Sequence, residues 1–220
     1  MSRTALVAGA SGLVGRHVLR LLLGDPEWER VTVFGRRDLP IAHKKLVQRI
    51  VDFDRLSDLP DFPRVHAVFC CLGTTIKRAG SEAEFRKVDY TYVVELARLA
   101  LRHRASQFLV VTAVGADPRS RVFYSRVKGE VDEAVQRLHF DGVQIFHPSL
   151  LVGRRAQGRP LELLAMIVSP LVSWAMRGPL GRYRPIGAAR VARALVRVAR
   201  EAPRGAHVYE GDQIRRLGRR

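Results

Sequence analysis

The opening of the chain constrains its fold more than any other segment. The apolar run Ala5–Ala8 has the character of a buried strand, and apolar residues recur at helical spacing over Val14–Leu23. Between them stand three glycines at three-residue spacing, Gly9, Gly12 and Gly15. A strand, a glycine turn and a helix leave backbone N–H groups free at the helix N-terminus, where the helix dipole favours an anion. The opening therefore predicts a cradle for the diphosphate of a dinucleotide; a purely structural turn is the alternative.

Strand and helix patterns alternate along the rest of the chain. This alternation favours an α/β fold with a doubly wound parallel sheet that is covered by helices on both faces. The predicted strands cover residues 31–34, 46–53, 67–71, 108–111, 143–146 and 206–210, and the predicted helices cover 82–104, 124–139 and 188–201. At 220 residues, the chain is expected to form one domain with a substantial core.

The net charge of +17 comes almost entirely from arginines that are scattered along the sequence. Basic blocks interleaved with aromatic residues, as in RNA-binding modules, are missing, so we expect no nucleic-acid partner. The simplest interpretation is a solvated surface rich in arginine. Attraction to anionic lipid or to an acidic protein is the alternative.

Cysteine usage and the apolar segments bear on location and partners. Cys70 and Cys71 are adjacent, which disfavours a disulfide between them, and no cysteine–histidine cluster with metal-ligand spacing occurs. No signal peptide pattern or apolar run of about 18 residues is present, so we expect a cytoplasmic protein without an integral membrane segment. The interrupted apolar stretch Leu161–Met176 predicts a substrate lid or a subunit contact, as in a homo-oligomer; apposition to a membrane is the alternative.

The end of the second predicted strand indicates which dinucleotide the cradle takes. Residues 34–37 read Phe-Gly-Arg-Arg, and no carboxylate comes before Asp38, although an NAD site usually has an acidic residue here for the ribose hydroxyls. Guanidinium groups match the geometry of a phosphate. Arg36 and Arg37, assisted by Arg16, therefore predict NADP(H) as the cofactor. That they are merely two more surface arginines is the alternative.

Further cofactor contacts are predicted along the glycine turn and at the ends of the third and fourth strands. Asp52 stands where folds of this kind contact the adenine amino group, and a turn aspartate is the alternative. The small and hydroxyl-bearing residues after the fourth strand would line the coenzyme, unless loop geometry alone explains them. The predicted cofactor residues are Gly9, Ser11, Gly12, Leu13, Val14, Gly15, Arg16, Arg36, Arg37, Asp52, Phe53, Leu72, Gly73, Thr74, Thr75, Tyr124 and Lys128.

A candidate catalytic set lies after the fifth predicted strand. Tyr124 and Lys128 are four residues apart, so a helix stacks both side chains on one face. An ammonium close to a phenol stabilises the phenolate and suits tyrosine to acid–base chemistry; an ordinary amphipathic helix is the alternative. Thr112 carries the hydroxyl within reach that would orient a substrate oxygen, whereas Ala113 beside it cannot donate.

Taken together, these segments resemble the atypical short-chain dehydrogenase/reductase family, in particular the branch that contains the human Tat-interacting oxidoreductase. The spacing Gly-x-x-Gly-x-x-Gly is that of extended and atypical members, and the specific part is Cys-Leu-Gly-Thr-Thr at 71–75. The segments that carry the likeness are 9–16, 35–37, 51–53, 70–75, 79–80, 88–89, 115–117 and 124–130. The likeness extends from the N-terminus to about residue 155 and continues weakly to the end.

The resemblance implies a single NAD(P)-binding Rossmann domain over 1–220, with a cofactor-binding core over 1–148. Residues 149–220 would form a small substrate cap and the last sheet elements. It also implies NADPH as cofactor and catalytic positions for Tyr124 and Lys128. Asp89 would stand near the polar residue of the active-site helix, with helix capping as the equal alternative. A Ser-Ser pair is common after the fifth strand in the family; Thr112 and Ala113 replace it here, and His147 replaces an arginine.

These observations predict an NADPH-dependent reductase of a small carbonyl compound. The alternative is a non-catalytic protein that binds NADPH and regulates a partner, which the alanine at 113 favours.

Overall fold

The computed structural model describes residues 3–59, 61–152 and 184–219. The strands are β1 (Arg3–Ala8), β2 (Trp28–Gly35), β3 (Leu46–Ile50), β4 (Ala67–Cys70), β5 (Gln107–Val111), β6 (Gly142–His147), β7 (Leu151–Val152), β8 (Ile186–Gly187) and β9 (Gly205–Glu210). The α-helices are α1 (Gly15–Gly24), α2 (Ile76–Ala79), α3 (Glu82–Arg86), α4 (Tyr92–Arg102), α5 (Phe123–Gln136), α6 (Ala188–Glu201) and α7 (Gly211–Leu217).

Seven of these strands form one sheet in the order β3-β2-β1-β4-β5-β6-β9, and every neighbouring pair is parallel. The chain runs outward from β1 to β3 and then returns to β4 on the other side of β1. Strand order therefore reverses between β1 and β4, and in doubly wound sheets a ligand binds outside the carboxyl ends of the strands at this point. The predicted α/β class is confirmed.

Successive side chains of the buried strands point to opposite faces of the sheet and pack in two separate hydrophobic cores. In β1, Ala5 and Val7 pack in the core that contains α1, α6 and α7, while Leu6 and Ala8 pack in the core that contains α4 and α5. Helix α6 supplies eight buried residues to the first core, because its apolar positions recur at helical spacing while Arg190, Arg197 and Arg200 are exposed. The helices of the two layers therefore hold both faces of the sheet.

The observed ends of the predicted elements lie within three residues of the predicted ones, and two of the differences bear on the site. The third strand ends at Ile50 instead of 53, because the side chain of Asp52 accepts a hydrogen bond from the Asp54 N–H and starts a 3₁₀ segment over Phe53–Asp58. The predicted helix over 82–104 is interrupted by a π-helical turn at Lys87–Thr91 between α3 and α4. Such turns widen the helix locally and are frequent at functional sites.

Several features were not predicted, namely α2, α7 and the two-stranded β7–β8 pair. The apolar stretch Leu161–Met176, predicted to be a lid or subunit contact, lies outside the described residues. Within the described ranges, none of the helices has the length and apolar character needed to cross a membrane.

Candidate functional site

The turn between β1 and α1 is shaped by glycines whose places no larger residue can fill. Gly9 has φ of +81°, and a Cβ there would lie 2.4 Å from the carbonyl oxygen of Cys71. A Cβ on Gly15 would lie 2.2 Å from the carbonyl oxygen of Gly9. Both contacts are to backbone atoms, so the turn would have to open to admit a side chain. The predicted tight turn is therefore present at the β1–β4 switch point.

The N-terminus of α1 is left open to an anion. No side chain caps the helix at Val14, and no acidic residue stands in its first turn. The Gly12 N–H donates to the carbonyl of Gly9 (2.9 Å), which folds the turn over the helix end. The exposed Ser11 and the half-buried Leu13 flank this end. A diphosphate fits the cradle, because the helix dipole and uncapped N–H groups favour negative charge there.

The residues predicted to contact the adenosine part of the dinucleotide follow the carboxyl ends of β2 and β3 or lie at the start of α1. Arg36 and Arg37 follow the last residue of β2, and both are exposed, while Arg16 is half-buried in the first turn of α1. The Asp52 carboxylate accepts from the Asp54 N–H at 2.9 Å, so it caps the 3₁₀ segment. Phe53 beside it is buried, with its ring centroid 5.6 Å from that of Tyr92.

The loop after β4, Leu72–Thr75, connects the cradle to the second candidate cluster. The Thr74 N–H donates to Asp89 Oδ2 at 2.8 Å. Thr75 caps α2 by accepting from the Arg78 N–H. A Cβ on Gly73 would come within 3.4 Å of Asp89 Oδ1, so the glycine lets this loop lie directly against the carboxylate.

Asp89 and Lys128 form a buried ion pair beneath that loop. Their Oδ1 and Nζ atoms are 2.6 Å apart, and the side chains are 0% and 5% exposed. The π-helical turn carries Asp89, while α5 carries Lys128. The Asp89 carboxylate contacts Lys128 Nζ and the Thr74 N–H, and neither of these contacts caps a helix N-terminus. An isolated charge in such surroundings would be costly, so each group stabilises the charged form of the other.

The charge on Lys128 is maintained by its neighbours. Burial acts to lower the pKa of Lys128, but Asp89 and, to a smaller extent, Tyr124 and Cys70 outweigh it and raise the pKa above the ordinary lysine value. Lys128 is therefore an ammonium at neutral pH. Burial raises the pKa of Cys70 to about 12, so that thiol is neutral and chemically quiet.

Tyr124 lies one helical turn before Lys128 at the start of α5. Its ring is half-buried, with its centroid 5.5 Å from that of Phe85 on α3. The start of α5 is held against the preceding loop, since a Cβ on Gly129 would lie 2.2 Å from the backbone nitrogen of Pro118. The Asp117 N–H also donates to the Ser125 carbonyl at 3.1 Å.

Thr112, the third predicted catalytic residue, directly follows the carboxyl end of β5. Its N–H donates to the Phe146 carbonyl at 2.9 Å, which fixes the backbone against β6. Its hydroxyl is buried, and the described residues offer it no hydrogen-bond partner. Ala113, next in the chain, is 9% exposed and adds only a methyl group. Burying a hydroxyl without a hydrogen-bond partner costs free energy. The Thr112 hydroxyl is therefore a candidate to form a hydrogen bond with a bound ligand.

Comparison with known proteins decides the family. The family model for the semialdehyde dehydrogenase NAD-binding domain matches residues 4–118. Protein HTATIP2 of Rattus norvegicus is 38% identical over 168 residues, which cover 74% of this chain and 69% of the relative. This chain belongs to the atypical short-chain dehydrogenase/reductase-like family of NAD(P)-binding proteins. A second relative, named Protein FMP52, mitochondrial, of Coccidioides immitis, is 28% identical and covers 100% of this chain and 97% of the relative.

Solved structures share the fold of this member of the NAD(P)-binding family. WbmH of Bordetella bronchiseptica in complex with NAD⁺ superimposes with a TM-score of 0.67 at 16% identity, covering 94% of this chain and 75% of that one. Human epimerase family protein SDR39U1 with NADPH gives a TM-score of 0.61 at 17% identity, covering 99% and 81%. At these identities the likeness establishes the Rossmann-type architecture alone.

A further charge cluster of this NAD(P)-binding protein, buried at His147 and Asp132, lies at the end of β6. His147 Nε2 is 2.7 Å from Asp132 Oδ2 on α5, and His147 Nδ1 is 3.4 Å from Glu210 Oε1 at the end of β9. The imidazole therefore ties the helix that carries Lys128 to the last strand of the sheet. Sequence reasoning missed this cluster. The available signal was Asp132, which stands one turn after Lys128 on the buried face of α5.

The His147 cluster gives a pH-dependent prediction. Burial acts to lower the pKa of His147, but Asp132 and Glu210 outweigh it and raise the pKa above the ordinary value of 6.5. The stabilisation from the charged pair is then complete below about pH 6.5 and is lost as pH rises through the folded-state pKa. We expect the difference in free energy of unfolding between wild type and Asp132→Asn to shrink from pH 6 to pH 9 in urea titrations. A difference that stays constant or grows with pH would contradict this assignment.

Proposed function

We propose that this protein reduces a small carbonyl compound with NADPH. The observation that carries the proposal is the buried ammonium of Lys128, paired with Asp89 one helical turn from Tyr124. Carbonyl reduction needs one hydride and one proton. A reduced nicotinamide coenzyme supplies the hydride when it is bound, and the Tyr124 hydroxyl supplies the proton to the carbonyl oxygen.

The residues around Tyr124 have separate roles in this proposal. Lys128, one helical turn after Tyr124, would hold the ribose of the coenzyme, and the tyrosine regains its proton from solvent after the transfer. The Thr112 hydroxyl orients the carbonyl oxygen, because its position at the end of β5 and its lack of a partner leave it able to donate. Asp89 is a positioning residue, since it holds Lys128 and the backbone of Thr74.

Tyr124→Phe tests the proton-transfer role. We expect this variant to lose at least about hundredfold in NADPH oxidation with any active aldehyde, ketone or quinone, because general acid–base groups typically contribute that much or more. Affinity for NADPH, measured by fluorescence titration, should stay within about twofold of the wild type. The matched control is Tyr209→Phe, which removes a hydroxyl that donates from β9 to Gln144 on β6 at 3.0 Å. The rate of NADPH oxidation by this control variant should be unchanged.

The result separates catalysis from the alternative of a regulatory NADPH-binding protein. Ala113 favours that alternative, because it contributes no hydroxyl where a second donor would be useful. Tight NADPH binding without oxidation by any member of the panel would support a binding role. Turnover that survives in Tyr124→Phe would remove tyrosine from the mechanism.

We infer that the coenzyme is NADP(H) and that Arg36 and Arg37 hold its 2′-phosphate. Both guanidinium groups are exposed directly after β2, and the only nearby carboxylate in the sequence, Asp38, comes after them. Arg36→Ala with Arg37→Ala should weaken NADPH binding by about tenfold to a hundredfold, while NADH binding changes little. Arg30→Ala, an exposed arginine within β2, is the control. Equal weakening for both coenzymes would overturn the assignment.

A further inference from the structure

The fold gathers arginines that are scattered along the sequence onto one face. Helices α1, α6 and α7 together carry eight arginines and two acidic residues. Helices α4 and α5, on the other face of the sheet, carry four basic and four acidic residues. Among these five helices, the excess positive charge therefore lies on the α1–α6–α7 layer, with a net charge of +6 against 0 for α4 and α5.

An open groove of about 980 Å³ runs between these three helices. Five arginines line it, together with aliphatic side chains from each helix. The arginines are Arg20, Arg193, Arg197, Arg200 and Arg219. The groove begins where α1 ends and β2 starts, so it lies at the amino-terminal edge of the sheet. Its first α1 residue, Arg20, lies five positions after Gly15, a distance of about 7.5 Å along the helix axis from the glycine cradle.

The acidic residues of the groove are already paired. Asp25 and Glu27 both contact Arg200, at 3.8 Å in the case of Asp25, and Glu201 contacts Arg197 at 2.9 Å. Arg20, Arg193 and Arg219 have no carboxylate partner among the described residues. Arg193 uses Nε to donate to the Gly218 carbonyl at 2.8 Å, which fixes its side chain and leaves its two terminal nitrogens to bind something else.

A neighbouring titratable group reports the same concentration of charge. His17 precedes Arg20 by one turn of α1. Partial burial lowers the pKa of His17, and the charges of Arg16, Arg20 and Arg193 lower it further. Arginines from α1 and from α6 therefore act on one imidazole, in agreement with the position of Arg20 and Arg193 in the lining of the same groove.

We propose that this groove binds a phosphate group through Arg20, Arg193 and Arg219. Guanidinium groups bind phosphate with two parallel hydrogen bonds, and three of them without carboxylate partners would neutralise its charge. Leu21, Val196 and Leu217 provide an apolar wall for a carbon portion of the ligand. The site is separate from the coenzyme cradle, so it does not depend on the proposed reductase activity.

The test uses inorganic pyrophosphate and protein saturated with NADP⁺, so that the glycine cradle cannot take the probe. Calorimetric titration should detect one pyrophosphate site. Arg20→Gln with Arg219→Gln should weaken it at least about tenfold, and since both residues are exposed the fold should be retained. Arg98→Gln with Arg102→Gln, which removes the same charge from α4 on the opposite face, should leave binding within about twofold.

A second arm identifies the source of the phosphate. Vesicles of phosphatidylcholine with and without phosphatidic acid are sedimented with the same variants. Loss of pyrophosphate binding in the groove variant, without an effect on vesicles, supports a soluble phosphorylated ligand. If the groove variant no longer binds phosphatidic acid vesicles while the α4 control variant still binds them, the ligand is a lipid headgroup. Binding that falls equally in the α4 control, or no binding of either probe, would overturn the proposal.

Discussion

A Gly15→Ala variant is expected to lose at least about a hundredfold in NADPH affinity. The added Cβ would lie 2.2 Å from the Gly9 carbonyl oxygen, so the turn and the helix end must move apart. Displacements of about 1 Å at a positioned site are enough to cause losses of this size. Fluorescence titration with NADPH measures the effect, and circular dichroism establishes that the sheet and helices remain.

Gly24→Ala is the matched control for this prediction. Gly24 ends the same helix, and nothing lies within 4 Å of the position that its Cβ would occupy. Alanine has a higher helix propensity than glycine, so this variant should be neutral or more stable by up to about 1 kcal/mol, with unchanged NADPH affinity. If Gly15→Ala bound NADPH as tightly as Gly24→Ala does, the α1 N-terminus would not be the diphosphate site.

The second large effect concerns the buried Asp89–Lys128 pair. Asp89→Ala leaves the Lys128 ammonium inside the protein without its counter-ion and removes the acceptor for the Thr74 N–H. Breaking a buried pair in this way typically costs roughly 3–5 kcal/mol. We expect a loss of that size in the free energy of unfolding, measured by urea denaturation at neutral pH.

The double variant distinguishes a lost pair from general damage to the core. Asp89→Leu with Lys128→Met removes both charges and should be more stable than Asp89→Ala, although it should show no carbonyl reduction. The exposed Arg98–Glu95 pair on α4, with a separation of 2.6 Å, is the control. Arg98→Ala should cost less than about 1 kcal/mol. If the double variant lost as much free energy of unfolding as the Asp89→Leu and Lys128→Met single variants lose together, the two charges would not stabilise each other.

Much of the fold follows from local sequence patterns. The apolar run before Gly9, the alternation of strands and helices, and the amphipathic pattern over Ala188–Glu201 each predict the element that forms. The sequence predicts these elements correctly because their apolar residues recur with the period of a strand or a helix. The pattern over 82–104 also reads as a helix, but it does not reveal the π-helical turn at Lys87–Thr91, which moves Asp89 into contact with Lys128.

The features that sequence patterns do not predict are those made by distant residues. Asp132, His147 and Glu210 are brought together by α5, β6 and β9, and no local spacing joins them. The arginines of α1 and α6 are at least 170 positions apart along the chain but lie in one layer. In both cases the crossovers of a parallel sheet create the contact, so only the three-dimensional arrangement reveals it.

A crystal structure of the protein grown with NADP⁺ would show where the coenzyme binds. We expect its diphosphate against the backbone N–H groups at the start of α1, beside Gly9, Gly12 and Gly15, with the 2′-phosphate at Arg36 and Arg37. A coenzyme bound elsewhere, or no coenzyme at a concentration well above that used for other members of this NAD(P)-binding family, would contradict this expectation.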